Sequence, residues 1–322
     1  MLPHARLQPL SGDDEFFNEC HASTHLVTES GRVLVVYFAG AHEKADDTAI
    51  WLSIKQDGVW RAPRILAKVD NTAHWNPVIF RADDGIRVVF KAGRDIPDWR
   101  SYSMVSMDEG ESWSVPEVFG QDNPAGGPVR NKPIRIEKGV LLAGASDESF
   151  EGVWKPRIDI STDGGRTFQK YADIPCPVNA IQPTLWTSAP GLVHALLRTD
   201  AGEIYRSDSE DGGRSWCRAY PTGLPGNNSG VDAVNAGDAL YLALNPVAQN
   251  WGARTPLIIM KSIDNGRSFR PFCTAGDELT DDVHGCVAQL CYPALTARGD
   301  KLRISFTYDR KTIAFAEIKK ST

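Results

Sequence analysis

The sequence predicts an all-β fold, a six-bladed β-propeller of four-stranded antiparallel sheets, and three observations lead to this prediction. A short pattern, Ser-x-Asp-x-Gly-x-x-Trp or Phe, occurs four times, beginning at Ser106, Ser161, Ser209 and Ser262. The copies follow one another at intervals of about fifty residues, the length of one propeller blade. Short apolar runs alternate with turns, and no segment sustains the 3.6-residue period of a helix. A repeated small sheet without helices indicates a radial array of blades.

Each copy of the pattern has the composition of a hairpin turn. In the first copy, Asp108 can accept hydrogen bonds from the backbone of its own turn, and Gly110 can supply a positive φ. Trp113 then starts the next strand and packs inward. A decayed fifth copy, from Ser53 to Trp60, retains only the serine and the aromatic residue. The pattern therefore predicts the turn between the third and fourth strands of a blade.

The other strands follow in a constant order. Six innermost strands are predicted to begin at His21, Trp75, Lys132, Gln182, Val231 and Tyr292. The second strands that follow them are predicted at residues 33–38, 86–91, 140–143, 192–198, 239–244 and 302–308. The sixth blade lacks a clear outer strand, and residues 5–10 are predicted to supply it, which would close the ring and cover the sheet edges.

Antiparallel strand order determines which strand ends share a face of the propeller. The entries to the innermost strands and the loops between second and third strands lie on one face, and the Ser-Asp-Gly turns lie on the other. Propeller ligands bind over the central axis on the first of these faces. We therefore expect the functional residues at strand entries and just after the second strands.

Composition restricts the domain organisation and the class of partner. The chain has 322 residues, 42% of them hydrophobic, and no linker divides it, so a single domain over residues 1–322 is expected. A net charge of −6 with scattered Lys and Arg argues against nucleic acid or a membrane as a partner. No secretory h-region is visible in residues 1–10. The expected location is cytoplasmic if Met1 is the native start, and periplasmic or secreted if a signal peptide was removed.

Cysteine and histidine spacing predicts neither a cofactor nor a catalytic metal. The six cysteines are dispersed without a CxxC motif, so free and mostly buried thiols are expected. Pairing of Cys286 with Cys291 is the alternative. The seven histidines lack zinc-ligand spacing. A structural Ca²⁺ held by one of two aspartate pairs is a further alternative; the pairs are Asp13–Asp14 and Asp46–Asp47.

The positions expected on the ligand face are unusually polar. The strand entries supply His21, His74, Asn76, Asn131, Lys132, Gln182, Asp232 and Tyr292. The loops after the second strands supply His42, Lys91, Arg100, Arg157, Arg198, Arg254 and Arg310. Positive charge with histidine and tyrosine on an acidic protein predicts a small anionic ligand such as a carboxylated sugar. Each residue also has a structural alternative, because buried histidines and surface arginines are common. Four tryptophans are candidates for sugar stacking or for core packing: Trp75, Trp99, Trp154 and Trp251.

The four repeated turns resemble the Asp boxes, or BNR repeats, of sialidase-like propellers. The resemblance covers most of the chain and implies the fold rather than the reaction. Sialidases hold a carboxylate with three arginines and use a Tyr–Glu pair as nucleophile and an Asp as acid. Tyr292 is similar in position to that nucleophile, and candidate arginines are Arg198, Arg254 and Arg310. The sialidase Arg-Ile-Pro signature is absent, since Arg64-Ile65-Leu66 falls on a predicted outer strand, and no Glu partner for Tyr292 is evident.

A second resemblance concerns the two histidines of the first blade. Cys20-His21-Ala-Ser-Thr and Gly40-Ala-His42-Glu43 are similar to the His pair of propeller polysaccharide lyases, the ulvan and rhamnose–glucuronate lyases. The overall run of motifs resembles the rhamnose–glucuronate type most closely. The resemblance implies His42 as base and acid, with His21 positioning it or sharing that role. It also implies carboxylate-binding arginines at Arg100 and Arg157 and subsite residues at Tyr292 and Arg254. Ulvan lyases have seven blades, whereas six are predicted here.

The implied lyase chemistry suits these residue types. The C5 proton of a uronate is too weakly acidic to leave unaided, so arginines must neutralise the carboxylate and stabilise the developing charge. A neutral His with an ordinary pKa near 6.5 can abstract the proton at neutral pH. The predicted function is therefore an enzyme acting on an acidic oligo- or polysaccharide, a lyase that cleaves next to a uronate by β-elimination. The alternatives are an exo-sialidase with Tyr292 as nucleophile and a non-catalytic glycan-binding propeller.

Overall fold

The computed structural model describes residues 8–9, 16–120, 125–275 and 289–320. This part of the chain forms antiparallel strands and one short 3₁₀ turn, Ile96–Asp98. It contains no helix long and apolar enough to cross a membrane. Its five cysteines are free thiols, as predicted. Cys286 and the Asp13–Asp14 pair lie outside the described residues.

The strands form six sheets, which are the blades of the propeller. The outermost strand of the sixth blade comes first in the chain and is β1 (Gln8–Pro9). Blade 1 contains β2 (Glu19–Val27), β3 (Val33–Gly40), β4 (Ala49–Gln56), β5 (Val59–Trp60) and β6 (Arg64–Ala67). Blade 2 contains β7 (His74–Ala82), β8 (Gly85–Ala92), β9 (Arg100–Ser106) and β10 (Glu117–Val118). Blade 3 contains β11 (Ile134–Glu137), β12 (Val140–Glu148), β13 (Trp154–Ser161) and β14 (Gln169–Asp173).

The remaining three blades repeat the same order. Blade 4 contains β15 (Ala180–Ala189), β16 (Leu192–Thr199), β17 (Glu203–Ser209) and β18 (Tyr220–Pro225). Blade 5 contains β19 (Asp232–Asn235), β20 (Leu240–Leu244), β21 (Leu257–Ser262) and β22 (Arg270–Ala275). Blade 6 contains β23 (Leu290–Arg298), β24 (Lys301–Tyr308) and β25 (Thr312–Lys319), with β1 at its edge.

The predicted fold class is confirmed, including the blade number and the closure of the ring. The N-terminal strand β1 pairs with β25, with Gln8 opposite Phe315 and Pro9 opposite Ala314. The first and last parts of the chain therefore share one sheet, which covers its outer edge. Blade 1 departs from the common pattern, because both β5 and β6 pair with β4. Arg64-Ile65-Leu66 lies on β6, an outer strand, as predicted.

The Asp boxes are closed hydrogen-bonded turns between the third and fourth strands. In blade 4, the Ser209 hydroxyl donates to Asp211 and accepts the amide of Gly213 at 2.8 Å. The Ser215 hydroxyl and backbone amides donate to Asp211 and lower its pKa to about 2. Trp216 is buried, and its indole N–H donates to the Gly213 carbonyl. The turn satisfies its own polar groups, which explains why it recurs as a structural unit.

Two adjacent glycines of this turn allow a prediction that separates backbone strain from steric crowding. Both have positive φ, +76° at Gly212 and +88° at Gly213. A Cβ at Gly213 would lie 2.7 Å from Cδ1 of the buried Leu142 in blade 3, whereas a Cβ at Gly212 would meet nothing within 4 Å. We expect Gly212→Ala to lower the free energy of unfolding by about 1 kcal/mol. Gly213→Ala should lower it by about 1–3 kcal/mol more because of overpacking.

Chemical denaturation of the two variants measures this difference directly. Equal losses at the two positions would show that Leu142 moves aside freely, and that the close approach between blades 3 and 4 contributes nothing.

The seam between the first and last blades is polar. His25 on β2 is hydrogen-bonded through Nδ1 to the Ser305 hydroxyl at 2.9 Å and through Nε2 to the Thr296 hydroxyl at 2.8 Å. Ser23 donates to the same Ser305 hydroxyl. Burial, with the nearby charges of Lys132 and Arg303, lowers the pKa of His25 from 6.5 to about 3. The seam therefore requires a neutral imidazole.

The depressed pKa of His25 predicts acid sensitivity. At pH values above 6.5 the residue is neutral in both the folded and the unfolded chain and contributes no pH dependence. As the pH falls below 6.5, only the unfolded chain takes up the proton, so stability is lost progressively down to about pH 3. We expect the free energy of unfolding of the His25→Gln variant, measured by urea denaturation, to fall less steeply than that of the wild type in the upper half of this window, by up to about 1.4 kcal/mol per pH unit. Parallel wild-type and variant slopes there would contradict the assignment.

One buried carboxylate connects four blades at the axis. Asp232 on β19 accepts two hydrogen bonds from Lys132 Nζ, at 2.8 and 2.9 Å, in the segment that enters blade 3. Asp232 also accepts hydrogen bonds from the Thr184 hydroxyl of blade 4 at 2.9 Å and from the Leu295 amide of blade 6 at 2.7 Å. Asp232 is 2% exposed. The Asp232 hub therefore links blades 3, 4, 5 and 6 by a single side chain.

Candidate functional site

Four of the innermost strands share an irregularity near their start. Each has a register shift that leaves one non-glycine residue with positive φ; these residues are Ala22 (+55°), Asn76 (+41°), Gln182 (+54°) and Tyr292 (+54°). In three of the four, the next residue is proline. Bulges redirect side chains, and a non-glycine residue in this conformation costs about 1–3 kcal/mol. A strained position repeated around the axis indicates a functional centre at this end of the strands.

Tyr292 occupies the middle of that centre. Its ring centroid lies 4.2 Å from that of His21. Three guanidinium carbons lie near the same ring, those of Arg130 at 5.2 Å, Arg198 at 5.6 Å and Arg254 at 5.8 Å. His21 belongs to blade 1 and Arg198 to blade 4, whereas Arg130 lies in the segment that enters blade 3 and Arg254 in a loop of blade 5. A side chain of the sixth blade contacts all of them only if it lies at the central axis.

Arg198, at the end of β16, is held in a fixed orientation. Its Nη1 donates to the Tyr292 hydroxyl at 2.7 Å and to Gln182 Oε1 at 3.2 Å. Its Nε donates to Asn228 Oδ1 at 2.8 Å, and its guanidinium lies 5.7 Å from the ring of the exposed Trp251. No carboxylate in the described ranges is hydrogen-bonded to the Tyr292 hydroxyl. The partner of the tyrosine is therefore a cation.

A cavity of about 430 Å³ opens beside the arginine cluster, between blades 5 and 6. Trp251, Arg254, Gln289 and Arg310 line it. Arg254 donates to Cys291 Sγ at 3.5 Å, and Arg310 forms an ion pair with Glu43 at 2.6 Å. The cavity is large enough for a monosaccharide unit, and its charged lining is cationic.

A second cavity of about 460 Å³ lies on the same face between blades 2 and 3. Glu148 at the end of β12 lines it together with Trp99, Val129, Ser146 and Lys155. Burial raises the pKa of Glu148, although the charge of Arg198 and the Ser146 hydroxyl oppose the rise. A carboxyl group whose pKa is raised in a cavity is a candidate proton donor.

Sequence reasoning missed Glu148 for a specific reason. The second strand of blade 3 was predicted to end near residue 143, but β12 continues to Glu148. The final residues of second strands were already expected on the ligand face. A correct strand length would therefore have placed Glu148 among the candidates.

The structure does not bring the two histidines of blade 1 together. His21 is buried, and its Nδ1 is hydrogen-bonded to the Thr307 hydroxyl at 3.0 Å. Burial and the nearby arginines hold its pKa well below 6.5, so the ring is neutral. His42 is exposed, and its Nδ1 donates to the backbone carbonyl of Glu43 at 2.8 Å. No hydrogen bond or ring contact joins the two in the described part of the chain.

Several residues predicted on the ligand face lie instead in buried structural networks. Lys91 is fully buried and donates to Ser101 and to the carbonyls of residues 125 and 126; burial lowers its pKa to about 7. Arg157 forms ion pairs with Asp147 and Asp159. Lys132 belongs to the Asp232 hub. Each of these cations already has structural partners, which sequence position alone did not reveal.

The other predicted residues divide between the axis and the periphery. Asn76 is buried at the bulge of blade 2. His74 accepts the Val69 amide and is hydrogen-bonded to the Thr72 carbonyl, and burial lowers its pKa to about 4. Arg100 is exposed at the start of β9. The structure thus brings His21, Arg198 and Arg254 into contact with Tyr292, and Arg310 lines the adjacent cavity. Within the described residues, neither Arg100 nor Arg157 has a hydrogen bond or cation–π contact with Tyr292.

The tryptophans also divide between core and surface. Trp75 and Trp99 pack together in the core of the second and third blades, with ring centroids 5.4 Å apart. Trp154 is half-buried on β13. Trp251 is 59% exposed beside Arg198, so it is the tryptophan placed to stack on a ligand.

Several solved structures have the same fold at low identity. A protein of unknown function from Dyadobacter fermentans superposes with a TM-score of 0.78 at 14% identity, covering 97% of this chain and 99% of that one. The Hadza microbial sialidase Hz136 gives 0.75 at 16%, covering 94% of this chain and 66% of that one. The NanB sialidase of Streptococcus pneumoniae gives 0.71 at 13%, covering 96% and 70%. These likenesses show the fold alone.

A search of curated proteins finds no match. The sequence matches the BNR repeat-like domain family over residues 31–304, which is most of its length. The chain belongs to the BNR repeat-like domain family, and its structure is a sialidase-like six-bladed β-propeller.

Proposed function

We propose that this propeller is a carbohydrate-active enzyme that binds an acidic glycan at the axis and cleaves it next to a uronate by β-elimination. One observation carries the proposal: the Tyr292 hydroxyl accepts a hydrogen bond from Arg198 at the centre of three guanidinium groups. The cavity lined by Arg254 and Arg310 leaves room for a sugar, and the cavity lined by Glu148 supplies a second pocket.

The charge balance of the centre favours an anionic ligand. Arg310 has an acidic partner, Glu43. Arg130, Arg198 and Arg254 form no ion pair with the described residues. Unpaired cations in a partly desolvated site attract a carboxylate, and arginine binds carboxylates in a bidentate manner. We infer that Arg254, which lines the open cavity, and Arg198, which lies beside Trp251 of that lining, bind the carboxylate of the substrate.

In the proposed reaction the Tyr292 oxygen gives its hydroxyl proton to water and accepts the C5 proton of the uronate. The electron pair of the C5–H bond forms the C4=C5 double bond, and the C4–O4 bond breaks. The leaving O4 takes the carboxyl proton of Glu148. Exchange with water then returns both side chains to their starting forms. The surrounding guanidinium groups stabilise negative charge on the phenol oxygen and on the substrate carboxylate.

Elimination is favoured over hydrolysis by the side chains around Tyr292. A sialidase nucleophile is activated by a glutamate, whereas here the neighbours of Tyr292 are guanidinium groups and the amide of Gln182, which also accepts from Arg198. An amide cannot remove a proton. His21 is neutral and its Nε2 is shielded from solvent, and His42 is exposed, so neither is better placed than Tyr292.

Sialoside hydrolysis is the second candidate function. It is favoured by the position of Tyr292 at the start of the last innermost strand, where the sialidase nucleophile is expected, within an arginine cluster. The known sialidases among the structural neighbours share the fold at 13–16% identity. In this case Tyr292 would form a covalent bond to the sugar.

Product analysis distinguishes the two reactions. The purified protein is mixed with a panel of uronate-containing glycans, including rhamnosyl-glucuronate polymers and ulvan, and separately with a sialoside reporter. We expect rising ultraviolet absorbance from the conjugated double bond and no reporter cleavage. Reporter cleavage without the ultraviolet change, together with covalent labelling of Tyr292 by a fluorinated sialosyl fluoride, would overturn the lyase in favour of the hydrolase.

Variants test the residue assignments within the active protein. Glu148→Gln should lower kcat on natural glycans by about 100-fold and much less on substrates whose leaving group needs no proton. His42→Ala should retain activity. Loss of activity in His42→Ala with retention in Tyr292→Phe would transfer the proton-abstracting role to the histidine.

A further inference from the structure

Arg130 is a buried cation that forms no ion pair with the described residues, although the charge of Asp232 lies near enough to act on it. It lies in the segment between β10 and β11 and is 1% exposed. Among the described residues its guanidinium makes one hydrogen bond, from Nη2 to the Pro293 carbonyl at 2.8 Å, and its Nε and Nη1 have no hydrogen-bond partner there. A buried, unpaired charge costs several kcal/mol. Stability therefore does not account for an arginine at this position.

Arg130 contacts the Tyr292 ring and the peptide that follows it. The guanidinium carbon lies 5.2 Å from the Tyr292 ring centroid, within the range of a cation–π interaction. The hydrogen bond to Pro293 fixes the peptide that follows Tyr292. Gly230 lies against the same pair, since a Cβ there would be 3.3 Å from the Tyr292 ring and 3.5 Å from Arg130 Nε.

Tyr292 needs such support because its backbone is strained. Its φ is +54°, and it precedes a proline within a bulge. A non-glycine residue keeps this conformation only where its surroundings enforce it. The hydrogen bond from Arg130 to the Pro293 carbonyl is a direct constraint on that conformation, and it comes from a different blade.

We infer that Arg130 is a positioning residue, which holds Tyr292 in the strained bulge and places a positive charge beside its ring without touching the ligand. The inference rests on the proposed function only in taking Tyr292 as the reacting group. Since Arg130 is shielded from solvent, it acts through Tyr292 rather than on the glycan.

The test uses Arg130→Met, with Arg206→Met as a matched control. Arg206 is also buried and lies 5.3 Å from an aromatic ring, that of Trp186, but it is ion-paired with Asp208 at 2.8 Å. We expect Arg130→Met to unfold at the wild-type temperature or above it, with kcat about 100-fold lower and KM changed less than about threefold. Arg206→Met should show the opposite signature, a lower unfolding temperature with unchanged kcat. Arg130→Lys should recover part of the lost kcat.

The outcome is decisive even if no substrate is found. A crystal structure of Arg130→Met should show Tyr292 out of the left-handed conformation or its hydroxyl more than hydrogen-bonding distance from Arg198. An unchanged Tyr292 in that structure, or wild-type kcat in the variant, would overturn the positioning role. If the wild-type protein cleaves none of the glycans, the proposed function is refuted. The conformation of Tyr292 in the Arg130→Met crystal structure then tests the role of Arg130 by itself.

Discussion

Tyr292→Phe is expected to abolish turnover of the acidic glycan while leaving the protein folded. The substitution removes only the hydroxyl that accepts from Arg198 at 2.7 Å, and it keeps the ring against His21 and Arg130. Loss of a proton-transferring side chain lowers kcat by about 100- to 10,000-fold. Initial rates of product formation by ultraviolet absorbance, with kcat and KM determined separately, measure the effect.

Ligand affinity provides the control for this variant. Arg198 keeps its hydrogen bonds to Gln182 and Asn228, so it should stay in place and still bind a carboxylate. We expect the dissociation constant of a non-reacting uronate to change by less than about threefold, and the unfolding temperature to remain near that of the wild type. A variant that keeps more than a tenth of the wild-type kcat would exclude Tyr292 from the proton transfer.

Asp232→Ala is expected to be among the most destabilising substitutions in the chain. It removes the acceptor of four hydrogen bonds, two of them from Lys132, and leaves that ammonium group without its carboxylate. Breaking a fully buried ion pair on one side costs about 3–5 kcal/mol, and because the Lys132 side chain is 24% exposed we expect a loss of about 3 kcal/mol. Because the hub joins blades 3, 4, 5 and 6, we expect a lower midpoint in chemical denaturation for the whole described propeller.

Two comparisons make the Asp232 prediction specific. Asp238→Ala, at an aspartate that is 61% exposed, should change the free energy of unfolding by less than about 0.5 kcal/mol. The double variant Asp232→Ala/Lys132→Met should lose less stability than the sum of the two single variants, since it leaves no unpaired charge. Additive losses would mean that the pair contributes nothing beyond its separate hydrogen bonds.

The blade architecture followed from the sequence because its signals are local. The turn at Ser209, Asp211 and Gly213 is built from side chains within four residues of one another, so its hydrogen bonds need no distant partner. Four such turns at regular spacing predicted a propeller, and six innermost strands, each followed by a second strand, predicted six blades. The closing strand near Gln8 was predicted for the same reason, because an open edge on blade 6 needed a partner.

The sequence also placed Tyr292, Arg198 and Arg254 at strand ends on one face. It could not determine which of the polar residues on that face reach the axis. In a strand a shift of one residue reverses the direction of every side chain, and the bulges at Ala22, Asn76, Gln182 and Tyr292 make that shift.

Only the tertiary structure decided the partners of the charged residues. Lys132 and Arg157 carry the same charge as Arg198 and Arg254, but the first two form ion pairs with the buried carboxylates of Asp232 and Asp159. Arg198 and Arg254 instead lie beside the Tyr292 ring, and Arg254 also lines a cavity. Sequence determined the fold of this protein through turns that close on themselves. Which side chains meet at the central axis depended on contacts between residues of different blades. The closure of the ring sets the distances between those residues.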